Sequence, residues 1–458
     1  MRARRRSIRA AALLVALGAL VALAVWLRPG GGTVARGTAT RLGAIHLISR
    51  ACSGPSADVA QAAGSAGEVY VAWEGCEGGN AIGFARSTNA GRSFSRAVAL
   101  PGSRGGWDPS VAVAPSGWIY VAFMSTAGTR EFPVLEVSRN RGRSFVPAAR
   151  LTPPAARNWG DEDYLAVAPD GTVYITWDYG PRNAQMRQRC SNFNSCWMTA
   201  GDVNAVIQRS VDGGRRFGPI EHISPGFPDS GADAAPLTVS RNGTIDVLYQ
   251  GYAVLDHRTL TLGPGYSYFT RSRDGGRHWS RPVAIDPAAG LMTVDAWWND
   301  GAISQDAAGN LYATWDTQTY VTQTGQRNAT DTGWLAYSTD GGVSWSHAIQ
   351  APADSLAAPQ IIESAGGSAG VVYVAWVADH RPAGYSTYLR TYRIGVGWLG
   401  AGRRISTRFG DPAAGTGDTF GISTTAQPGA VSLSWASAVP PNRSVGAVLS
   451  VPLSVRLR

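Results

Sequence analysis

The sequence predicts an all-β protein assembled from seven copies of one small antiparallel unit, and three observations carry that reading. The first is composition: 458 residues with 16% charged, 44% hydrophobic, 56 Gly and 16 Trp. That balance fits a Gly-punctuated β protein and is a poor match for a coiled coil, a helical bundle or a disordered chain. The other two are internal repeats, and repeats allow a chain of this length to form one closed body.

The first repeat is Gly, any residue, aliphatic, any, aliphatic or Ala, any, aromatic. It begins at Gly67, Gly117, Gly171, Gly243, Gly309, Gly370 and Gly429 and ends at Trp73, Phe123, Trp177, Tyr249, Trp315, Trp376 and Trp435. Apolar residues alternate with small or polar ones, which is the period of a strand. The leading Gly falls in turns such as Ala-Pro-Asp-Gly, so each copy is the second strand of a hairpin. The stretch ahead of the turn, for example Asp108 to Ala114, supplies the first strand.

The second repeat, Ser-x-Asp/Asn-x-Gly-x-x-aromatic, follows in five units. Its copies are Ser87, Asn89, Gly91, Phe94; Ser138, Asn140, Gly142, Phe145; Ser210, Asp212, Gly214, Phe217; Ser272, Asp274, Gly276, Trp279; and Ser338, Asp340, Gly342, Trp345. The hydroxyl and the Asx side chain suit the N–H groups of a tight turn, Gly suits a positive φ, and the aromatic ring anchors the turn to the body. This turn joins the third strand of each unit to the fourth.

These residues resemble the Asp-box (BNR) repeat proteins of the sialidase superfamily over nearly all of residues 41–458. The resemblance implies a β-propeller of four-stranded blades, with the Asp boxes structural and on the face away from any active site. Units starting near Asp58, Asp108, Asp161, Asp233, Asp295, Gln360 and Asp418 give seven blades; sialidases proper have six, which is the alternative. The last unit lacks a fourth strand, and Leu42 to Ser49 reads like the fourth strand of unit three, Phe217 to Ser224. An N-terminal strand that completes the last blade would close the ring and leave no free edge.

The net charge is +9, but six arginines lie within the first 28 residues, and the rest carries +3. No basic stripe follows, so no nucleic-acid partner is expected. Residues 1–31 read as a signal peptide or an N-terminal membrane anchor in the form of one apolar helix, Ala10 to Leu27. Residues 32–40 read as a linker, and 41–458 as a single propeller. The arginines ahead of the apolar run place the body outside the cell, secreted or anchored to the outer face of the membrane, and a monomer is expected. Four Cys in an exported chain suggest disulfides; within the propeller, Cys52 pairs with Cys76 and Cys190 with Cys196. Metal ligation by these cysteines finds no support in His or CxxC spacing, and no metal or cofactor is expected.

The loops 178–202, 250–266 and 316–333 fall on the face opposite the Asp boxes, where binding is expected. Asp58, Asp108, Asp161, Asp233, Asp295 and Asp418 should circle the channel mouth, either tying backbone or supplying acid–base groups. Asp108, Glu162 and Asp163 are the catalytic candidates. Trp107, Trp159, Trp297 and Trp298 beside the acids suit a sugar, or plain packing. Arg104, Arg157 and Arg327, with Arg130 and Arg381, occupy the same loops and suit a carboxylate or solvent. The sialidase resemblance implies three arginines on a sugar carboxylate, an Asp acid/base and a Tyr–Glu pair. Its Phe/Tyr-Arg-Ile-Pro signature is missing near the start of the propeller; the nearest string, Tyr392-Arg-Ile-Gly395, lacks the Pro. No catalytic residue is carried over. Three functions stay open: an exo-sialidase, a hydrolase of other specificity using the acidic ring, and an exported propeller that binds glycan or protein without catalysis. The string Gly366-Gly-Ser-Ala-Gly370 mimics a serine-hydrolase elbow but falls in a hairpin turn.

Overall fold

The computed structural model describes residues 38–151, 156–180, 187–192, 195–199, 204–223, 232–233, 235–256, 261–286, 301–317, 332–352, 358–379, 385–406, 419–439 and 442–457. The expected N-terminal apolar helix lies outside them. The described residues form a seven-bladed propeller of antiparallel four-stranded sheets. Blade 1 runs Ala57–Ala63, Val69–Cys76, Ala81–Ser87 and Val98–Ala99, from the axis outward. The innermost strands of successive blades touch in cyclic order, and blade 7 returns to blade 1.

Each copy of the aliphatic repeat is the second strand of its blade. All seven leading glycines have positive φ, between 74° and 90°. The seven terminal aromatics are all buried, with Trp315 the most exposed at 5%. Alternation sends successive side chains to opposite faces of the blade, so each strand feeds two interfaces. Apolar clusters therefore lie between neighbouring blades, as where Phe84 of blade 1 meets Phe123 and Val134 of blade 2. Val71 and Trp73 of blade 1 meet Ala436 and Val448 of blade 7 in the same way. Burying one such aromatic or branched side chain contributes roughly 1.5–3 kcal/mol.

Closure is as the sequence predicts. Blade 7 comprises Gly421–Thr424, Ala430–Val439 and Asn442–Leu457, and its outer strand comes from the start of the chain. Thr38–Leu42 pairs antiparallel with 453–457, and His46–Leu47 with 449–450. Gly43 N–H and Ile48 N–H bond to the carbonyls of Pro452 and Val448. The strand thus starts ahead of Leu42 and is interrupted at 43–45.

The five Asp boxes have one geometry. The buried serine hydroxyl accepts the Gly N–H at 2.7–3.0 Å and donates to the Asx Oδ1 at 2.8–2.9 Å. That oxygen also accepts the N–H four residues on, at 2.9–3.0 Å. Hydrogen bonds hold the box carboxyls below the usual range: the Arg216 N–H at Asp212, the His278 N–H and ring at Asp274, and the Ser344 hydroxyl and N–H at Asp340,. Each box glycine faces the preceding blade, which makes the box a joint between blades as well as a turn.

One loop reading changes. Residues 250–266 are largely strand, because the second and third strands of blade 4 extend over Ile245–Asp256 and Thr261–Ser272. A hairpin inserted in blade 3, Arg187–Asn192 and Ser195–Thr199, pairs with this extension at Thr199 and Thr261. Its register sets Cys190 opposite Cys196; their side chains lie outside the described residues.

A Cβ on Gly342 would lie 2.0 Å from a Phe269 ring carbon, whereas one on Gly276 would find its nearest neighbour at 3.6 Å. Both glycines have similar φ. In thermal or urea unfolding, Gly276→Ala is expected to cost about 1 kcal/mol, and Gly342→Ala about 3 kcal/mol or more. Equal losses would contradict the joint.

Candidate functional site

The innermost strands line a central channel of about 210 Å3, with Gln61, Ser110, Asp163, Glu363, Ser364 and Thr419 on its wall. Ligand pockets usually begin near roughly 300 Å3, so this channel by itself is smaller than a usual ligand pocket. Glu363 lines this narrow channel, and burial pushes its carboxyl well above the usual range,.

Four innermost strands carry the same β-bulge next to the buried aromatic of the second strand. Within them Asp58, Asp108, Glu162 and Ile361 adopt left-handed φ of 42°, 44°, 48° and 46°. Such a conformation costs about 1–3 kcal/mol for a bulky residue and marks places where strain serves a site. In blades 1 to 3 the strained residue is an acid. The bulge also corrects the alignment of the acidic ring. Asp161 pairs with Asp178 and Tyr164 with Thr176, so Glu162, not Asp161, stands level with Asp58 and Asp108. Asp161 stands level with Trp107, and so does the Asp233 backbone, opposite Gln250. Asp295, Trp297, Trp298, Arg327, Arg381 and Asp418 lie outside the described residues.

The carboxyls of blades 1 to 3 converge at the mouth. Carboxylate oxygens of Asp58, Glu74 and Asp108 lie within 4.8 Å of one another. Burial, then the charge of Asp58 and a hydrogen bond with it, raises Glu74 to about 7,. Asp161 accepts the Trp107 indole N–H at 3.0 Å and bonds with Asp108. Burial raises it nonetheless. Asp163 is 3% exposed and accepts the Ser110 hydroxyl at 2.6 Å. Burial and the Asp161 charge hold it well above the usual range. The acids thus form a chain of contacts that crosses two blade interfaces. As ionised oxygens, Asp58, Glu74 and Asp108 form the donor set a hard cation takes; as a partly protonated group they can give and accept protons near neutral pH.

Glu74 was missed in the sequence. It follows Trp73 directly, the position that Asp178 and Asp316 occupy in units three and five, so aligning the units one residue further would have marked it. The Cys52–Cys76 disulfide, as predicted, ties the loop ahead of Asp58 to the strand end that carries Glu74. A Cβ on Gly75 would overlap the Pro55 carbonyl, which shows how closely the two segments lie. Of the predicted aromatics, Trp107 is half-buried at the mouth and tied to Asp161, whereas Trp159 is buried. Arg104 and Arg157 are exposed and Arg130 half-buried. Tyr392 to Gly395 ends the third strand of blade 6 at the Asp-box face, far along the blade from the mouth.

Residues 336–347 match the BNR/Asp-box repeat family. This chain is a seven-bladed propeller built with Asp-box repeats. No curated protein matches it in sequence. Among solved structures, a polysaccharide lyase, PL25 ulvan lyase, is 12% identical with a TM-score of 0.56, covering 91% of this chain and 96% of its own. A second structure of that lyase family, bound to -[GlcA(1-4)Rha3S]-, is also 12% identical, with a TM-score of 0.53 and coverage of 93% and 94%. The intramolecular trans-sialidase from Ruminococcus gnavus is 10% identical, with a TM-score of 0.45 and coverage of 76% and 93%. At these identities the likeness is one of fold.

Glu136 of blade 2 is fully buried, neither carboxyl oxygen has a partner, and burial raises it to about 8. Glu74 and Glu136 therefore keep their protons to higher pH in the folded chain than in the unfolded one. Their contribution to stability is present below the ordinary carboxyl range and is lost as pH rises through about 7 and about 8,. Chemical unfolding should show stability falling across this window, with Glu74→Gln and Glu136→Gln each flattening the slope. Stability that rises there, or slopes unchanged by both variants, would contradict these environments.

Proposed function

We propose that the protein is an exported glycan-binding propeller that holds a carbohydrate chain across the channel mouth over blades 1 to 3. The observation that carries this reading is the convergence of Asp58, Glu74, Asp108 and Asp161 beside the half-buried Trp107. Sugars present hydroxyls that hydrogen-bond to carboxyls and apolar C–H faces that rest on an aromatic edge. The disulfide and the strained bulges hold these groups in place before a ligand arrives, which lowers the entropic cost of binding. Fold likeness to a polysaccharide lyase over most of the chain is consistent with a carbohydrate ligand, although a shared fold hosts many functions,. Arg104 and Arg157 are exposed, and Arg327 and Arg381, the other candidates for a guanidinium clamp, lie outside the described residues.

A second reading, hydrolysis of a glycosidic bond, is favoured by one specific feature. Carboxylates within 4.8 Å of one another approach the separation of about 5 Å used by retaining glycosidases,. Glu74, protonated near neutral pH, would serve as acid and Asp108 or Asp58 as its partner,.

A glycan array on the purified full chain, followed by calorimetry on the best hit, tests the first reading. Asp108→Asn is expected to weaken binding by about tenfold or more with Tm little changed, because a charge-assisted hydrogen bond is lost. Unaltered affinity would rule the mouth out. Turnover of that glycan, lost in Glu74→Gln and declining above about pH 7 in the wild type, would support the second reading,.

A further inference from the structure

The Asp-box face carries a second distinctive surface, one that takes no part in the reading of the channel mouth. In every blade the fourth strand runs from the Asp-box end towards the mouth. Thr38, first residue of the strand that completes blade 7, therefore sits at the Asp-box end, opposite Leu457 and bonded to the Leu399 carbonyl. The sequence ahead of it, which includes the uncharged apolar run Ala10 to Leu27, therefore joins the propeller at that end.

The same face is basic. The Asp boxes of blades 1 to 3 expose Arg92, Arg141, Arg143, Arg215 and Arg216, with Arg241 on the neighbouring turn of blade 4. In blades 1 and 2 the box acid is replaced by Asn89 and Asn140, so the arginines there have no box carboxylate beside them. Glu68 lies 3.9 Å from Arg141, whose side chain is still 70% exposed. Among the described residues, the acids open to solvent on this face are exposed Asp212, half-buried Asp274 and exposed Asp340 of the boxes in blades 3 to 5 and exposed Asp170 on the blade 3 hairpin turn, each accepting backbone N–H groups of its own turn.

Apolar side chains stand among these arginines. Val211 and Val343, at box tips, are 79% and 73% exposed, and Val146, Val396 and Leu457 at the same end are 50%, 46% and 37% exposed. Among the described residues the other large exposed hydrophobics are Val98 and Val283, both on fourth strands. Half-buried Trp118 is stacked 4.8 Å below the Arg139 guanidinium on this face. Arginine, isolated aliphatic tips and Trp together are the side chains that settle at a lipid headgroup boundary.

We propose that the Asp-box face docks on an anionic lipid bilayer, held there by the segment ahead of Thr38, with the channel mouth turned away from the membrane. The residues between Leu27 and Thr38 can span at most about 35 Å when fully extended, so an inserted apolar run keeps this face near the headgroups. Each arginine that reaches an anionic surface strengthens association roughly fivefold, an effect that salt screens.

Hydrogen exchange on the full chain, reconstituted in phosphatidylcholine nanodiscs with and without phosphatidylglycerol, tests the proposal. Peptides over 88–96, 139–147 and 211–217 should exchange at least about threefold more slowly in the anionic discs, with 52–56 and 101–106 unchanged. The slowing should disappear in roughly 0.5 M salt, and also in a variant carrying Arg92→Glu, Arg141→Glu, Arg143→Glu and Arg216→Glu. Equal exchange in both lipids, slowing that salt leaves intact, or slowing at the mouth peptides overturns it. The salt arm uses the wild type, so the outcome stands even where the variant fails to fold.

Discussion

Each blade of this protein is a sheet with two apolar faces, and neither face is buried until a neighbour lies on it. A blade such as Val69–Cys76 with its partners sends Tyr70 and Ala72 to one neighbour and Val71 and Trp73 to the other. A row of such sheets would leave its first and last faces wet, and only a ring removes both ends at once. The ring here is closed by hydrogen bonds between the two ends of the chain and by the apolar contacts of Ile48 and Val448 behind them. The Asp boxes, the cyclic contact of innermost strands and the channel follow from that closure.

Closure also explains how the candidate site is made. Asp58, Glu74 and Asp108 come from two blades, and Asp161 and Asp163 from a third. Asp58 and Glu74 stand on neighbouring strands of one sheet, but Asp108 meets them, and Asp161 meets Asp108, only across a blade interface, with local bulges aiming the acids,. The cost of gathering the acids is met by packing spread over the whole ring. The two faces of the ring divide the chemistry: carboxyls and Trp107 at the mouth, arginines and exposed valines at the Asp boxes.

What could be read in the sequence was whatever repeats at short range. The strand pattern and the Asp box each state their geometry within eight residues, so the blade number, the hairpin turns and the joint turns were legible. Closure was legible because Leu42 to Ser49 could be compared with Phe217 to Ser224, a fourth strand from another unit. The bulges were not: one additional residue moves the register without disturbing an alternation already loose at Asp161-Glu-Asp163,. Glu74 was hidden for a different reason, since its chemistry comes from Asp58 and Asp108, distant in the pattern, and not from its own neighbours. The extended hairpin of blade 4 reads as a loop because Gly263-Pro-Gly265 interrupts its alternation, while it pairs at its tip with a hairpin inserted in blade 3.

Native-state hydrogen exchange at increasing denaturant tests the closure most directly. The Gly43 and Ile48 amides bond to the Pro452 and Val448 carbonyls. They are expected to exchange with the free energy and denaturant dependence of the Val247 amide deep in blade 4, through cooperative opening of the ring. If they exchange by shallow, denaturant-independent fraying while the blades stay protected, the chain ends are an ornament on a propeller that holds together without them, and the account is wrong.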